Sequence, residues 1–262
     1  MIIGHQLQKE IINKILQNYN QGLFLLFGPE AVGKFYLLKS LTEKFKPLIF
    51  NSDETILKIK TSELIQKILL LKSKEKQIII VNDCHKFNKE AQNKLLKILE
   101  EIPSQSLVFL ISHKLFKILP TIRSRAQKIR FSLVDNDEIR NFLIKNYPSA
   151  DVNFLLKIFP GQIGKIVYFL NNKEKFKTIQ KIIISNDLFE KFQLFYKIEK
   201  EITLEELIYY FIIYERDNLI KKNKESLKKL RYLLSLHEDS SYFLNKEMQF
   251  ANIVLNIYGA GI

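Results

Sequence analysis

The pattern of hydrophobic and polar positions changes near residue 133. Before that point, short runs of apolar and β-branched residues alternate with segments whose apolar residues recur at helical spacing. The short runs predict strands and the longer segments predict amphipathic helices. The predicted strands are Leu23–Phe27, Leu48–Phe50, Gln77–Val81, Leu107–Ser112 and Lys128–Phe131, and the predicted helices are Lys9–Asn18, Lys34–Phe45, Ser62–Leu71 and Lys89–Glu101. This alternation predicts an α/β fold with a parallel sheet covered by helices on both faces.

After Val134 the strand pattern ends. Three short helical patterns follow, separated by prolines, at Asp135–Lys145, Asp151–Phe159 and Gln162–Leu170. From Lys175 to Tyr258 the pattern is helical throughout. We therefore predict three domains, namely an α/β module over residues 1–133, a small three-helix domain over 134–175 and an all-α domain over 176–262.

The composition limits the class of protein. With 262 residues, 47% of them hydrophobic, the chain is long enough for one large domain or two to three small ones. No apolar run approaches the ~20 residues of a membrane span, and the first residues carry no export signal, so we expect a cytoplasmic protein without membrane contact. The single cysteine, Cys84, excludes an intramolecular disulfide and a multi-cysteine zinc site.

The positive charge is concentrated in the α/β module. The net charge is +13, of which residues 1–133 carry +11. Six basic residues fall within seventeen positions that contain no acid, namely Lys114, Lys117, Arg123, Arg125, Lys128 and Arg130. Such a cluster is typical of a surface that faces phosphates, so Lys114, Lys117 and Arg123 are candidates to face DNA. A solvated lysine-rich face explains the lysines equally well, but it does not explain the arginines.

The segment Gly28–Phe35 matches a phosphate-binding loop except at its last residue. In the pattern G-x-x-x-x-G-K-[ST], the glycines Gly28 and Gly33 let backbone N–H groups surround the phosphates, and Lys34 reaches the β- and γ-phosphates. The final hydroxyl of the pattern coordinates Mg²⁺, but Phe35 cannot ligate a metal. Lys34 and the loop N–H groups remain able to bind an anion, so two alternatives stay open: the loop holds ATP or ADP without hydrolysing it, or it holds no nucleotide cofactor.

The strand Gln77–Val81 should carry the second nucleotide-site element. Active ATPases have Asp-Glu after such a strand, whereas this chain has Asn82 and Asp83. An amide is a poor partner for Mg²⁺, and Asp83 is one methylene shorter than glutamate. Cys84 and His85 follow. We interpret Cys84 as a small buried residue and His85 as a polar residue at a strand-to-helix turn rather than a nucleophile and its base, because adjacent side chains on a strand point to opposite faces.

Four motifs, taken in order, resemble those of a known family. The four motifs are Ile2–His5, Gly28–Phe35, Ala91–Pro103 and Leu119–Arg125. They are similar to motifs of bacterial DNA polymerase III clamp loader proteins of the AAA+ class, most closely of their delta-prime subunits. The resemblance covers residues 2 to about 170. It implies a P-loop AAA+ module followed by a three-helix lid and an all-α collar, and it implies that Arg125 reaches the γ-phosphate of ATP on a neighbouring subunit. A planar, permanently charged guanidinium suits that role.

The departures from the family pattern carry further expectations. Ala126 replaces the cysteine that usually follows the arginine, and the zinc-binding cysteines that usually follow the P-loop are absent, so no metal is expected. The resemblance makes Lys165 a candidate second sensor of nucleotide, although a solvated lysine at a helix start is an equal alternative. Phe243–Met248 resembles the last collar helix, in a collar shorter than is typical of the family.

The resemblance implies a stator without ATPase activity of its own. Its expected partners are the gamma/tau and delta subunits, the sliding clamp and primer–template DNA, and its expected function is in DNA replication. The nearest alternative is a competent gamma-like ATPase in which Lys34 binds phosphate and Asp83 acts as the base. A stand-alone basic DNA-binding protein is a third reading, and Arg125 argues against it because an arginine finger requires a partner's nucleotide.

Overall fold

The computed structural model describes residues 3–51, 76–100, 104–185, 187–220, 225–239 and 245–257. The chain forms two compact units, residues 1–165 and 166–262, and the boundary falls inside the helix Ile163–Asn171. The predicted helix Ser62–Leu71 lies outside the described residues. The division into three domains at residues 133 and 175 stays a prediction.

Five parallel strands form the sheet of the first unit. In chain order they are β1 (Gly22–Phe27), β2 (Leu48–Asn51), β3 (Gln77–Asn82), β4 (Ser106–Ser112) and β5 (Gln127–Arg130). Their order across the sheet is β2-β3-β4-β1-β5, and every pair of neighbours is parallel. All five predicted strands are present, each within one residue of its predicted ends. The carboxyl ends of parallel strands meet at one edge, which brings the segments after β1, β3 and β4 together.

Seven helices begin among the described residues of the first unit. They are α1 (Gln6–Asn18), α2 (Lys34–Thr42), α3 (Lys89–Glu100), α4 (Pro120–Arg125), α5 (Asn136–Asn146), α6 (Val152–Ile158) and α7 (Ile163–Asn171). Short 3₁₀ turns occupy Glu43–Phe45, Cys84–Lys86 and Leu115–Lys117. The helix α4 was not predicted, because six residues that begin with a proline show no readable periodicity.

Aspartates define the starts of α5 and α6. The Asp135 carboxylate accepts hydrogen bonds from the backbone N–H groups of Asp137, at 2.8 Å, and Glu138, at 3.4 Å. The Asp151 carboxylate accepts one from the N–H of Phe154, at 2.9 Å. Each satisfies donors that the first helical turn would otherwise leave unpaired, which confirms the predicted starts.

The core of the first unit follows from the alternation of side chains along the strands. One sheet face carries Leu23 and Leu25 of β1 and packs against α3 and α4 through Ala91, Leu95, Leu99 and Ile122. The other face carries Phe24 and Phe109, whose rings stack with centroids 5.1 Å apart. Cys84 is buried in the first cluster, so its interpretation as a small buried residue is confirmed.

The regular elements of the second unit are helices throughout the part of the chain that the structure describes. After α7 come α8 (Lys173–Ile184), α9 (Leu188–Ile198), α10 (Leu204–Ile220), α11 (Glu225–Asp239) and α12 (Lys246–Ile257). Aromatic rings fill its interior, with Phe195 and Phe250 stacked at 4.0 Å between centroids. The predicted helical character of this region is confirmed, and the part of the Phe243–Met248 motif that the structure describes begins α12. Among the described helices, none combines the length and the apolar character needed to cross a bilayer.

Candidate functional site

The P-loop (Gly28–Phe35) connects β1 to α2, as predicted. Gly28 has φ of 138°, and a Cβ at this position would lie 2.1 Å from the carbonyl oxygen of Phe131. The backbone at the end of β5, the neighbour of β1 in the sheet, therefore approaches so closely that only glycine fits. Gly33, which has φ of 98°, directly precedes the first residue of α2. The strand–loop–helix geometry that phosphate binding requires is present.

The Lys34 side chain is folded back onto the loop that it belongs to. Its Nζ donates to the carbonyl oxygens of Gly28, at 3.0 Å, and Pro29, at 2.5 Å. Only 6% of the residue is exposed. Burial lowers the pKa of Lys34 to about 8, while the charges of Asp83 and Glu30 act in the opposite direction. Binding of a phosphate at this position would require the ammonium group to exchange loop carbonyls for phosphate oxygens.

Two hydrogen bonds from other segments hold the P-loop backbone. The N–H of Gly164, in the first turn of α7, donates to the carbonyl of Ala31 at 2.7 Å, and a Cβ on Gly164 would lie 2.8 Å from that oxygen. The Nε2 of His5 donates to the carbonyl of Val32 at 2.9 Å. Both hydrogen bonds are accepted by loop carbonyls, so they do not use the loop N–H groups that would face a phosphate.

Lys165 lies at the P-loop, and its role as a sensor of nucleotide stays a prediction. Its Nζ forms an ion pair with the Glu30 carboxylate at 3.0 Å. The sequence gives no signal for Glu30, because the third position of the P-loop pattern accepts any residue. The ion pair is partly exposed, so screening by solvent keeps its contribution to stability small.

The residues in place of the metal ligands make other contacts. The Phe35 ring packs edge-on against Tyr36. The Asn82 amide donates to the side-chain oxygen of Asn51 at 3.4 Å, across the paired ends of β2 and β3. Asp83 adopts a left-handed conformation with φ of 51°, and its carboxylate lies 3.5 Å from the Lys86 ammonium.

Two histidines beside Asp83 were not predicted as a group. His113 directly follows β4, and its ring centroid lies 3.9 Å from that of His85. Its Nδ1 lies 3.8 Å from the Asp83 carboxylate. Burial, together with the charges of His113 and Lys86, lowers the pKa of His85 to about 3. Burial is also the main cause that lowers the pKa of His113. The adjacency of β3 and β4 was the signal that could have brought these residues together.

Arg125 is exposed at the end of α4, whose other face is anchored in the core. Ile122 and Ala126 are buried on that face. The Arg125 guanidinium donates to the carbonyl of Thr121 at 3.2 Å, one turn earlier. Ala126 in place of cysteine thus fills a core position and leaves the arginine on the surface. Arg123 differs, because its Nε is buried and has no hydrogen-bond partner among the described residues.

Gln92 fixes the segment that leads into α4. It is 3% exposed, and its Nε2 donates to the carbonyls of Phe87, at 3.0 Å, and Lys117, at 2.9 Å. Its Oε1 accepts the N–H of Leu119 at 2.8 Å. Gln92 belongs to the motif Ala91–Pro103, in which the sequence alone predicts no role for it. The structure gives it one, because this side chain pairs with one backbone group just before α3 and with two in the segment that leads into α4.

The basic residues proposed to face DNA are not equivalent. Lys117 is exposed in the 3₁₀ turn Leu115–Lys117, next to Phe116, which is 77% exposed. Lys114 is half-buried, and its backbone N–H donates to the Ser112 hydroxyl at 3.1 Å. Arg123 is half-buried as well. Contact of these residues with DNA stays a prediction.

Comparison with known sequences gives two matches. The family described as "DNA polymerase III, delta subunit" matches residues 45–135. DNA polymerase III subunit delta' of Buchnera aphidicola subsp. Schizaphis graminum (strain Sg) is 33% identical over 90 residues, which are 34% of this chain and 27% of that protein. The aligned part is thus about a quarter of the curated relative. The family match contains Asn82, Asp83 and Arg125, but it begins after the P-loop.

Solved structures extend the likeness to the whole fold. A protein related to the DNA polymerase III gamma subunit, from Thermotoga maritima, superposes with a TM-score of 0.61 at 19% identity, over 95% of this chain and 98% of that one. A variant of Thermotoga maritima RuvB has a TM-score of 0.51 at 14% identity, over 75% of this chain and 70% of that one. The predicted AAA+ fold with a helical part is confirmed. The chain is similar to clamp-loader proteins of the delta-prime type, which confirms the predicted resemblance.

Proposed function

We propose that this chain is a delta-prime-like stator subunit of a replicative clamp loader. It completes a hetero-oligomeric ring with gamma/tau-like and delta-like subunits, and it presents Arg125 to ATP on the adjacent subunit while the sliding clamp is loaded on primed DNA. Its own P-loop binds nucleotide weakly or not at all and performs no hydrolysis.

The observation that carries this proposal is the contrast between the two halves of a phosphoryl-transfer site on this chain. The half that would act on the chain's own nucleotide has lost its metal hydroxyl at Phe35 and its metal carboxylate at Asn82. The half that acts on a partner's nucleotide retains an exposed Arg125 on a helix anchored by Ile122 and Gln92. An arginine delivered in trans stabilises charge that develops in the transition state.

Hydrolysis by the chain alone tests the first part. We expect no ATP turnover above background, because metal and positioning effects supply several kcal/mol in phosphoryl transfer and each ~1.4 kcal/mol is about tenfold in rate. Calorimetric titration with ATP and ADP, with and without Mg²⁺, reports binding separately. A turnover on the order of 1 s⁻¹ that Lys34→Ala abolishes would instead indicate a gamma-like ATPase.

The effect of Arg125→Ala on a reconstituted loader tests the second part. We expect intact assembly and a slower DNA-stimulated ATPase rate. Trans-acting arginines contribute ~10³-fold and above at single sites, and the bulk rate of a ring with several sites falls by less. Arg130→Ala is the matched control, because Arg130 is an exposed arginine on β5 and Arg123 is partly buried. Equal rates for the wild type and Arg125→Ala would remove the role of Arg125.

A further inference from the structure

Three potential metal ligands converge where β3 and β4 end. Asp83 directly follows β3, His85 lies in the 3₁₀ turn Cys84–Lys86, and His113 directly follows β4. Each of the three offers one ligand atom, and these atoms all lie within 4.8 Å of one another. The two imidazole planes are inclined by 65°, which allows a nitrogen of each ring to face a shared point beside the carboxylate.

His85 is the residue that most clearly indicates a ligand. It is 5% exposed, and its Nδ1 is buried with no hydrogen-bond partner among the described residues. Buried polar atoms are nearly always paired, because an unpaired one has given up water without compensation. In the tautomer with the proton on Nε2, the buried Nδ1 carries a lone pair, and a bound cation would satisfy it.

The chemistry of the three groups selects the class of cation. Two imidazoles and one carboxylate suit borderline divalent metals such as Zn²⁺, whereas Mg²⁺ and Ca²⁺ prefer oxygen ligands. We propose that Asp83, His85 and His113 bind one Zn²⁺-like divalent cation, with a water as the fourth ligand. Tetrahedral coordination places ligand atoms about 3.4 Å apart, so binding draws the three side chains together by roughly 1 Å. The site is independent of the missing cysteines on which the expectation of no metal was based.

The positive charges around the site set its affinity. Lys86 forms an ion pair with Asp83 at 3.5 Å, and the charge of Lys114 also acts on both histidines. A cation at the site must displace Lys86 from the carboxylate. Because Lys86 competes with the metal and is not a ligand, its removal should strengthen binding, whereas removal of a ligand should weaken it.

Titration of the full-length, chelator-treated protein with ZnCl₂ tests this site. Calorimetry should give one ion per chain, and Asp83→Asn and His113→Ala should each weaken binding at least about tenfold, since even outer-shell changes cost 10–100-fold. Lys86→Ala should bind as tightly as the wild type or more tightly. Far-UV circular dichroism without metal verifies folding, and Asp83→Asn, a nearly isosteric change at a partly exposed position, decides the matter if His113→Ala does not fold.

Co²⁺ provides a second readout, because its absorption spectrum reports coordination by histidine. The wild type should show tetrahedral Co²⁺ bands that Zn²⁺ abolishes and that excess Mg²⁺ leaves unchanged. An absence of Zn²⁺ binding in the wild type would overturn the proposal. Binding that neither Asp83→Asn nor His113→Ala weakens would also overturn it, because the ion would then be bound elsewhere on the chain.

Discussion

At the scale of single residues, the buried Lys34 ammonium group should make the free energy of unfolding depend on pH. The folded-state pKa of about 8 lies below the ~10.4 of an unfolded lysine. Between these values the unfolded chain binds more protons than the folded chain, so this group raises the free energy of unfolding as the pH rises. Relative to Lys34→Met, the wild type should gain about 1–2 kcal/mol between pH 7.5 and pH 9.5, at 1.36 kcal/mol per pKa unit.

Urea unfolding of both proteins at the two pH values measures this difference. The comparison with Lys34→Met cancels the general loss of repulsion that a basic protein undergoes at high pH. Parallel stability profiles for the two proteins would show that the buried ammonium group keeps an ordinary pKa.

Restoring the P-loop hydroxyl alone should leave the chain inactive. Phe35→Thr supplies one ligand for Mg²⁺, but Asn82 still contributes a neutral amide, which donates to Asn51 instead of binding a metal. Steady-state ATPase assays of Phe35→Thr, and of the triple variant Phe35→Thr/Asn82→Asp/Asp83→Glu, separate the two defects. Turnover in the single variant would mean that Asn82 is not a barrier to hydrolysis.

At the scale of elements, Gln92 links α3 to the segment before α4. Gln92→Leu keeps the volume but leaves the N–H of Leu119 and the carbonyls of Phe87 and Lys117 without their partner. An unsatisfied buried group costs about 1–3 kcal/mol, so we expect a loss of about 2–5 kcal/mol in the free energy of unfolding. Gln8→Leu is the control, because Gln8 also bonds to a distant backbone carbonyl, that of Arg130, at an exposed position. Similar losses for both variants in chemical denaturation would contradict the role of Gln92.

The strands were predictable because their signal is local. Four of the five are short apolar runs, and burial of β4 along its whole length produced the clearest run of all, whereas β5 has one buried residue, Ile129. The helix α4 was not predictable, since six residues give no readable period. The grouping of Asp83, His85 and His113 depends on the order of strands in the sheet, which no local pattern contains. The folded-back position of Lys34 likewise depends on burial by the surrounding elements.

At the scale of the whole molecule, the uneven charge predicts where DNA binding is sensitive to salt. Residues 1–133 carry +11 of the net charge of +13, so the first unit should provide most phosphate contacts. The affinity of the chain for primer–template DNA should fall linearly on a double logarithmic plot against salt, with a slope of about −0.9 per duplex phosphate neutralised.

Paired substitutions locate those contacts. If Lys114 and Lys117 each contact a phosphate, Lys114→Ala/Lys117→Ala should reduce the magnitude of the slope by about 2 and weaken binding to all sequences alike. Lys145→Ala/Lys157→Ala is the matched control, because it removes the same charge from exposed positions on α5 and α6, outside the basic cluster. Fluorescence anisotropy across a salt series measures both slopes. Equal slopes for the two double variants would mean that the segment before α4 does not face DNA. The attraction would then come from the net charge of the molecule.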